Sequence, residues 1–404
     1  MTNTTNDNKK LKKVIWRAFV IRIIVLSVTV LFSDSLSTGY FSNSATNDDL
    51  KYIAVAESYV SSARNAIDLP TFYSATNSYG HLAQCSDQNF WFWFCCIISY
   101  ITGTTFSIRV VNVLLAVLSV KIIYEYATEN YGSKVGLSAA KLIAYMPYPV
   151  LFSCFAFKDQ MLMVVTFYSL LIFSFIIHRR KINLIKWVAL IIALVSLWFS
   201  RGGFAQGFIV IIACAYLFRT KWNPVIKYAL VLIIGLLMTS IIGYDKILYY
   251  VRFYTTSRTT SEASSFSFLA INGLGDLIKL PLLMVFNIFL PLNFSFSFQS
   301  WSNFADILNC AVIPTIVGNV LYFVNYKQKK EIMYWVTMCL YIGGTIISFG
   351  IYRHLYFLLP IHYINFANFK YRNTSKEGKQ LLIIGSAALL LLLCVYFLIK
   401  QYQG

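Results

Sequence analysis

Acidic side chains are scarce in this chain, and they cluster. Six of the 16 lie between Ser33 and Gln88, namely Asp34, Asp48, Asp49, Glu57, Asp68 and Asp87. Asp48-Asp49 precedes LKYIAVAESYVSSARNAID, where Tyr52, Val55, Ala56 and Tyr59 follow i, i+3, i+4, i+7 spacing. That spacing predicts an amphipathic helix whose apolar face can lie on a membrane surface. Asn47 or Asp48 would suit its N-cap, and Asp49 its first turn, so helix geometry alone can account for both acids. The chemical alternative is a carboxylate at a water–lipid boundary that takes a proton from an incoming hydroxyl. Nothing in the sequence chooses between Asp48 and Asp49 for that task.

The other candidates are charged residues set between apolar runs. Lys158 and Asp159 stand between YPVLFSCFAF and MLMVVTFYSLL. A charged pair there is costly unless it faces an interface or a cavity. It can cap the following helix as an ion pair, or Lys158 can bind a phosphate while Asp159 acts as a second acid or orients the base. Arg201 (SLWFSRGGFAQG) and Arg353 (SFGIYRHLYFLLP) are single cations between apolar runs. Each guanidinium can snorkel to headgroups or present its planar fork to phosphate oxygens. Arg252 and Arg258 lie in a second polar loop, 244–276, and are either solvated or phosphate-facing. His354 beside Arg353 is a packed aromatic-neighbour histidine or a proton carrier. No metal-ligand spacing, Walker loop, dinucleotide fingerprint, HExxH or GxSxG occurs, which argues against nucleotide chemistry within this chain. No cofactor is evident; a divalent metal is compatible with the chemistry, but nothing indicates one.

The elements that must position these residues are set by lipid. Only 12% of the 404 residues are charged and 58% are hydrophobic, far from the roughly one-quarter charged of a soluble domain. Hydrophobic segments number about thirteen in a sliding window. They lie near 14–32, 89–105, 107–127, 134–156, 160–178, 184–200, 203–218, 225–243, 277–297, 304–326, 332–350, 355–369 and 381–399. Runs this long predict an all-α, polytopic integral membrane bundle of about 11–13 hydrophobic segments. The net charge of +18 reflects basic clusters between runs, the positive-inside pattern, rather than a nucleic-acid partner. Residues 1–13 are expected to be a cytoplasmic basic N-terminus. Residues 14–404 then form one membrane domain, with 33–88 and 244–276 as its extracytoplasmic loops. Val14 to Phe32 reads as an uncleaved first span, with Arg17 and Arg22 snorkelling to the inner interface. Parity of the basic anchors requires two runs not to cross. Candidates are 89–105, short and aromatic, and 277–297, interrupted by Pro281 and Pro291. About eleven crossings remain. Seven of the eight cysteines lie in apolar runs and Cys85 lies in the loop, without CxxC spacing; they read as small apolar side chains.

Acids, phosphate-suited cations and abundant Tyr and Trp on the outer side suggest glycosyl transfer from a lipid-phosphate sugar. The layout resembles the GT-C superfamily of polytopic glycosyltransferases that use polyprenyl-phosphate sugars. The resemblance lies in a first span, a large acid-bearing outer loop, the aromatic run FWFWFCCIISYITG, the segment SIRVVNVLL (Ser107 to Leu115), Lys158-Asp159 before the next span, and YRHLYFLLPI late in the chain. It implies a catalytic acid at Asp48 or Asp49, a second at Asp159, and substrate contacts among Lys158, Arg201, Arg252, Arg258, Arg353 and His354. The implied partners are a polyprenyl-phosphate-linked sugar donor and a glycan or glycolipid acceptor. The implied setting is a bacterial-type plasma membrane during cell-envelope polysaccharide assembly. The rival readings are a Wzy-like polysaccharide polymerase or ligase, and a non-enzymatic transporter or flippase for a lipid-linked sugar.

Overall fold

A computed structural model describes residues 2–32, 48–77, 89–219, 221–242, 278–279, 301–325, 332–347, 356–372 and 375–403, and among these there is helix but no strand. The chain divides into two compact units: Met1–Gly202 with Leu292–Asn325 and His362–Gly404, and Gly203–Pro291 with Tyr326–Ile361. Three helical stretches are long and apolar enough to cross a membrane: Asp7–Leu31, Phe106–Tyr131 and Asp159–Ile177. Several shorter apolar helices accompany them. Exposed Ile24, Val28, Ile191, Ile192, Leu232 and Leu236 present apolar faces suited to lipid rather than water.

In the first unit, helix α1 (Thr2–Leu31) is followed by α2 (Asp48–Ser62), α3 (Leu69–Asn77) and α4 (Asn89–Thr102). The amphipathic stripe is real, but its partner is protein. Tyr52, Val55, Ala56 and Tyr59 are all buried; Tyr52 packs on Phe92 at 4.7 Å between ring centroids, and Tyr59 on Tyr100 at 6.3 Å. The expected membrane-surface placement of that face is therefore corrected: the apolar run 89–105 supplies a closer surface than lipid. Asp68 caps α3, accepting the amides of Arg64 at 3.0 Å and Thr71 at 3.3 Å. Those donors hold its carboxyl below the ordinary aspartate range.

Helices α5 (Phe106–Tyr131) and α6 (Ser133–Tyr145) form a tight hairpin. Gly132 joins them at φ +95°, a conformation that glycine adopts without a Cβ clash. At Gly136 a Cβ would lie 2.1 Å from Thr128 Oγ1 and 2.9 Å from the Tyr124 carbonyl oxygen, so the close approach of the helices at this point requires glycine. At its first turns α5 meets α1 in a small core of Leu26, Val113 and Cys154.

The apolar run 134–156, expected as one helix, is broken. α6 stops at Tyr145, α7 (Pro147–Phe152) is a short separate turn, and residues 153–158 run irregularly into α8 (Asp159–Ile177). Pro147 has no N–H and therefore cannot cap the carbonyl four residues back, that of Ile143. Arg22 supplies the missing donors: its guanidinium reaches Ile143 O at 2.8 Å and Ala144 O at 3.0 Å, and Ala18 O in its own helix at 3.2 Å. Arg22 is 0% exposed, so it does not snorkel; carbonyls freed by a helix break accept from its two terminal nitrogens inside the bundle. Arg17 is exposed.

Helix α9 (Leu184–Trp198) returns along α8, capped by Asn183, whose side chain accepts Lys186 N at 3.1 Å. The far ends of α5 and α8 are tied by Glu129, which bonds His178 Nδ1 at 2.9 Å and Arg180 Nε at 3.2 Å. The second unit contributes α10 (Gly202–Arg219), α11 (Pro224–Ile242) and, after the first unit's α12 (Trp301–Leu308) and α13 (Ile313–Asn325), α14 (Ile332–Ile347). The expected run 304–326 is thus divided at a 3-10 turn, Asn309–Val312, just ahead of Pro314. Last come α15 (Leu359–Arg372) and α16 (Lys376–Gln403).

Replacing Arg22 with Met should leave the Ile143 and Ala144 carbonyls without their charged donors and lower stability by about 3 kcal/mol. Arg22→Lys should lose less. Equilibrium unfolding in detergent measures both, and an unchanged midpoint for Arg22→Met would show that the guanidinium does not hold the break.

Candidate functional site

Residues 148–167 are buried almost without interruption, although 153–158 do not form a regular helix. Irregular backbone in such a place must find hydrogen bonds from side chains. Three helices provide them. From α2, Asp49 accepts the amide of Ala156. From α4, Trp91 Nε1 donates to Ala156 O at 2.9 Å. From α5, Asn112 Nδ2 donates to Phe155 O and, at 2.9 Å, to Phe157 O. Arg109, one turn before Asn112, donates from Nη2 to Asp49 Oδ2 at 3.1 Å, and its guanidinium carbon lies 5.5 Å from the centroid of the Phe155 ring. The ring of Trp301 of α12 stands 6.3 Å from Phe155.

Asp49 is 0% exposed and Arg109 only 8%. A buried carboxylate is tolerable only when its oxygens are occupied, and here one oxygen takes the guanidinium while the other takes a backbone amide. Asp48, adjacent in the same first turn, is half-buried. The two acids that the sequence could not separate thus occupy different environments.

Lys158 and Asp159 sit at the exit of the same loop, exposed 9% and 3%. Lys158 occupies the N-cap position of α8 and its Nζ donates to Ser200 O at 3.3 Å. That carbonyl precedes Arg201, whose own amide bonds Leu197 O at 2.9 Å and whose side chain is half-buried. Phe90 N reaches Phe199 O at 3.3 Å, bringing the start of α4 to the same corner. Asp159 lies in the first turn of α8, where the helix dipole favours a carboxylate, and its Oδ1 is buried with no hydrogen-bond partner among the described residues. The structure therefore gathers Asp49, Lys158, Asp159 and the chain at Arg201 around one loop, with Asp48 next to Asp49 in the first turn of α2. Arg252, Arg258, Arg353 and His354 lie outside the described residues.

Three participants escaped the functional reading of the sequence: Arg109, Asn112 and Trp91. Arg109 and Asn112 stand three apart on one face of a predicted helix, in the SIRVVNVLL segment, which was a usable signal. Trp91 looked like one aromatic among many. A second polar seam also went unread: Asn319 bonds His362 Nδ1 at 3.2 Å and Asn365 at 2.7 Å, and Asn368 donates to Tyr322 Oη at 2.8 Å. It joins α13 to α15 in the manner of interhelical hydrogen bonds in membranes. No group of three or more His, Cys, Asp or Glu able to hold a metal occurs among the described residues, and the cysteines described are free thiols.

No protein-family model matches the chain, and no curated protein does either.

A double-mutant cycle tests whether the hub acts as one unit. Asp49→Ala and Arg109→Ala should each destabilise the protein, and their effects should fall short of additivity by about 1–3 kcal/mol. Strict additivity in the unfolding free energies would mean that the pair does not share the work of holding the loop.

Proposed function

We propose that this chain is a membrane glycosyltransferase. It moves a sugar from a polyprenyl-phosphate donor to a glycan or glycolipid acceptor on the extracytoplasmic side of a bacterial-type plasma membrane, in cell-envelope polysaccharide assembly. The observation that carries this reading is the meeting of acids and phosphate-suited cations on one buried loop: Asp49 holds Ala156, and Lys158, two residues on, reaches the carbonyl next to Arg201. In this reading the protein is multi-pass with a cytoplasmic N-terminus, and the loop lies at the outer end of the first unit. The opposite end, with Glu129, His178 and Arg180, then faces the cytoplasm, in keeping with the basic cluster Arg179-Arg180-Lys181.

The chemistry divides among the residues as follows. Asp48 is half-buried and keeps some exposure, so a hydroxyl of the acceptor can reach it, whereas Asp49 is fully buried. Asp48 takes the acceptor proton as the acceptor oxygen bonds to the sugar C1. The C1–O bond to phosphate breaks in the same passage through an oxocarbenium-like state, and the leaving phosphate departs with the electron pair. Lys158 and Arg201 stabilise that developing charge. Asp49 positions the loop that carries Lys158. Asp159, with one oxygen unpartnered, is the second acid.

Asp48→Asn should cut glycan product by about 10²–10⁴-fold, the usual worth of a general base, with protein level unchanged. Asp49→Asn should lower the amount of folded protein as well as product. Full product from Asp48→Asn, measured in membranes supplied with lipid-linked sugars, removes Asp48 from the mechanism. Topology offers an independent check. Cysteines introduced near Asp48 and Arg201 should react with a membrane-impermeant thiol reagent from outside, and one near Lys329 only after permeabilisation. A cytoplasmic label near Lys158 would break the proposed outer site.

A further inference from the structure

Arg109 is not used up by its contact with Asp49. A guanidinium has five N–H donors, and only Nη2 is engaged, at 3.1 Å from Asp49 Oδ2. Nη1 and Nε have no hydrogen-bond partner among the described residues, yet neither is sealed from the surface, and the side chain keeps 10% of its exposure. The Asp49 contact and the Phe155 ring beneath the guanidinium carbon fix the plane in which these donors point. An arginine that is nine-tenths buried, held in orientation and left with unmade hydrogen bonds is prepared for an acceptor that arrives from elsewhere.

The acceptor that suits it is a tetrahedral oxyanion. Guanidinium forks match phosphate oxygens two at a time. Arg109 stands in the fourth position of the 26-residue α5, at the end where the helix dipole is positive. Lys158 follows Ala156, which shares Asp49 with Arg109, by two residues. The acids nearby are Asp49 with its neighbour Asp48, Asp159 next to Lys158, and Glu57, which Thr105 Oγ1, one turn before Arg109, meets at 3.4 Å. Asp49 divides its charge between the guanidinium and the Ala156 amide, so Arg109 is only partly neutralised.

We infer that Arg109 binds the phosphate of a polyprenyl phosphate, with Asp49 and Phe155 as the residues that orient it. The assignment of the lipid rests on the glycosyl-transfer reading. The anion subsite rests on the geometry of Arg109.

The test is native mass spectrometry of the full chain in phosphatidylcholine nanodiscs, offered decaprenyl phosphate, decaprenol or phosphatidylglycerol, with inorganic phosphate as competitor. The unaltered chain should bind decaprenyl phosphate about tenfold or more tightly than decaprenol, and Arg109→Lys, which keeps a cation for Asp49 but loses the fork, should erase about tenfold of that preference. Equal binding by Arg109→Lys overturns the role of Arg109 while leaving the glycosyl-transfer reading intact. Failure of the unaltered chain to tell the phosphate from the alcohol overturns both. Phosphatidylglycerol binding as tightly as decaprenyl phosphate, or displacement by inorganic phosphate at equal concentration, overturns the assignment to a polyprenyl lipid. Should Arg109→Lys fail to fold, the unaltered chain still decides. Decaprenyl phosphate, and not decaprenol, should slow the reaction of Arg109 with phenylglyoxal, read by peptide mass spectrometry. Equal rates overturn the proposal.

Discussion

A stretch of chain that is neither helical nor exposed governs the first unit. Residues 153–158 lie in the interior without a regular ladder, so the carbonyls of Phe155 and Phe157 and both polar groups of Ala156 depend on side chains brought from three other helices. In water such a segment would move to the surface. In a chain of this hydrophobicity the surface is largely lipid, which offers no donors or acceptors. Burial inside protein, with a dedicated set of partners, is the remaining solution. It explains why a carboxylate, an amide and an indole N–H all aim at the same few backbone atoms. It also explains why Asp49 must be charged or otherwise fully hydrogen-bonded: its two oxygens close both the ion pair and the loop.

Arg22 solves the same problem one helix break earlier. Pro147 ends the α6 ladder, and the carbonyls of Ile143 and Ala144 are left inside the bundle. A long cation from the first span reaches them, and burying that cation is tolerable because the carbonyls are there. Each removes the desolvation cost of the other. The two breaks at Met146 and Ser153 separate α6 from α8 and let α8 start at the buried loop, with Lys158 at its N-cap and Asp159 in its first turn. Backbone irregularity is thus the means by which charged residues come to stand beside apolar spans without lying in lipid.

Much of this was legible, and the part that was not has a common cause. Apolar runs located most of the described helices to within a few residues because the bilayer sets both length and composition. The stripe Tyr52, Val55, Ala56, Tyr59 was read correctly as one apolar face, since spacing reports which residues share a side. What covers that side is a tertiary matter, and α4 rather than lipid covers it. The run 134–156 was read as continuous because its composition never changes; Pro147 and Pro149 were the signal, outweighed by hydropathy. Arg22 was assigned to the interface because its charge is visible in the sequence and its partners, about 120 residues away, are not. Asp49 and Arg109 lie 60 residues apart, and no local pattern joins them. The sequence did single out both Asp49 and Lys158-Asp159, and the structure brings Asp49 to the loop that leads into Lys158.

The contrast between Asp48 and Asp49 carries the argument about chemistry furthest. They are neighbours on a helix, so their side chains diverge by about 100° around the axis. One of them is sealed inside the hub, and the other is left half-buried beside it. A base needs an oxygen that a substrate can reach; a positioning carboxylate needs oxygens that nothing else can reach. One residue cannot meet both demands, and a doublet at the start of a helix meets them together, with the dipole favouring both charges. Arg109 extends the same division of labour to the cations. It gives Asp49 a single nitrogen, and its remaining donors have no hydrogen-bond partner among the described residues.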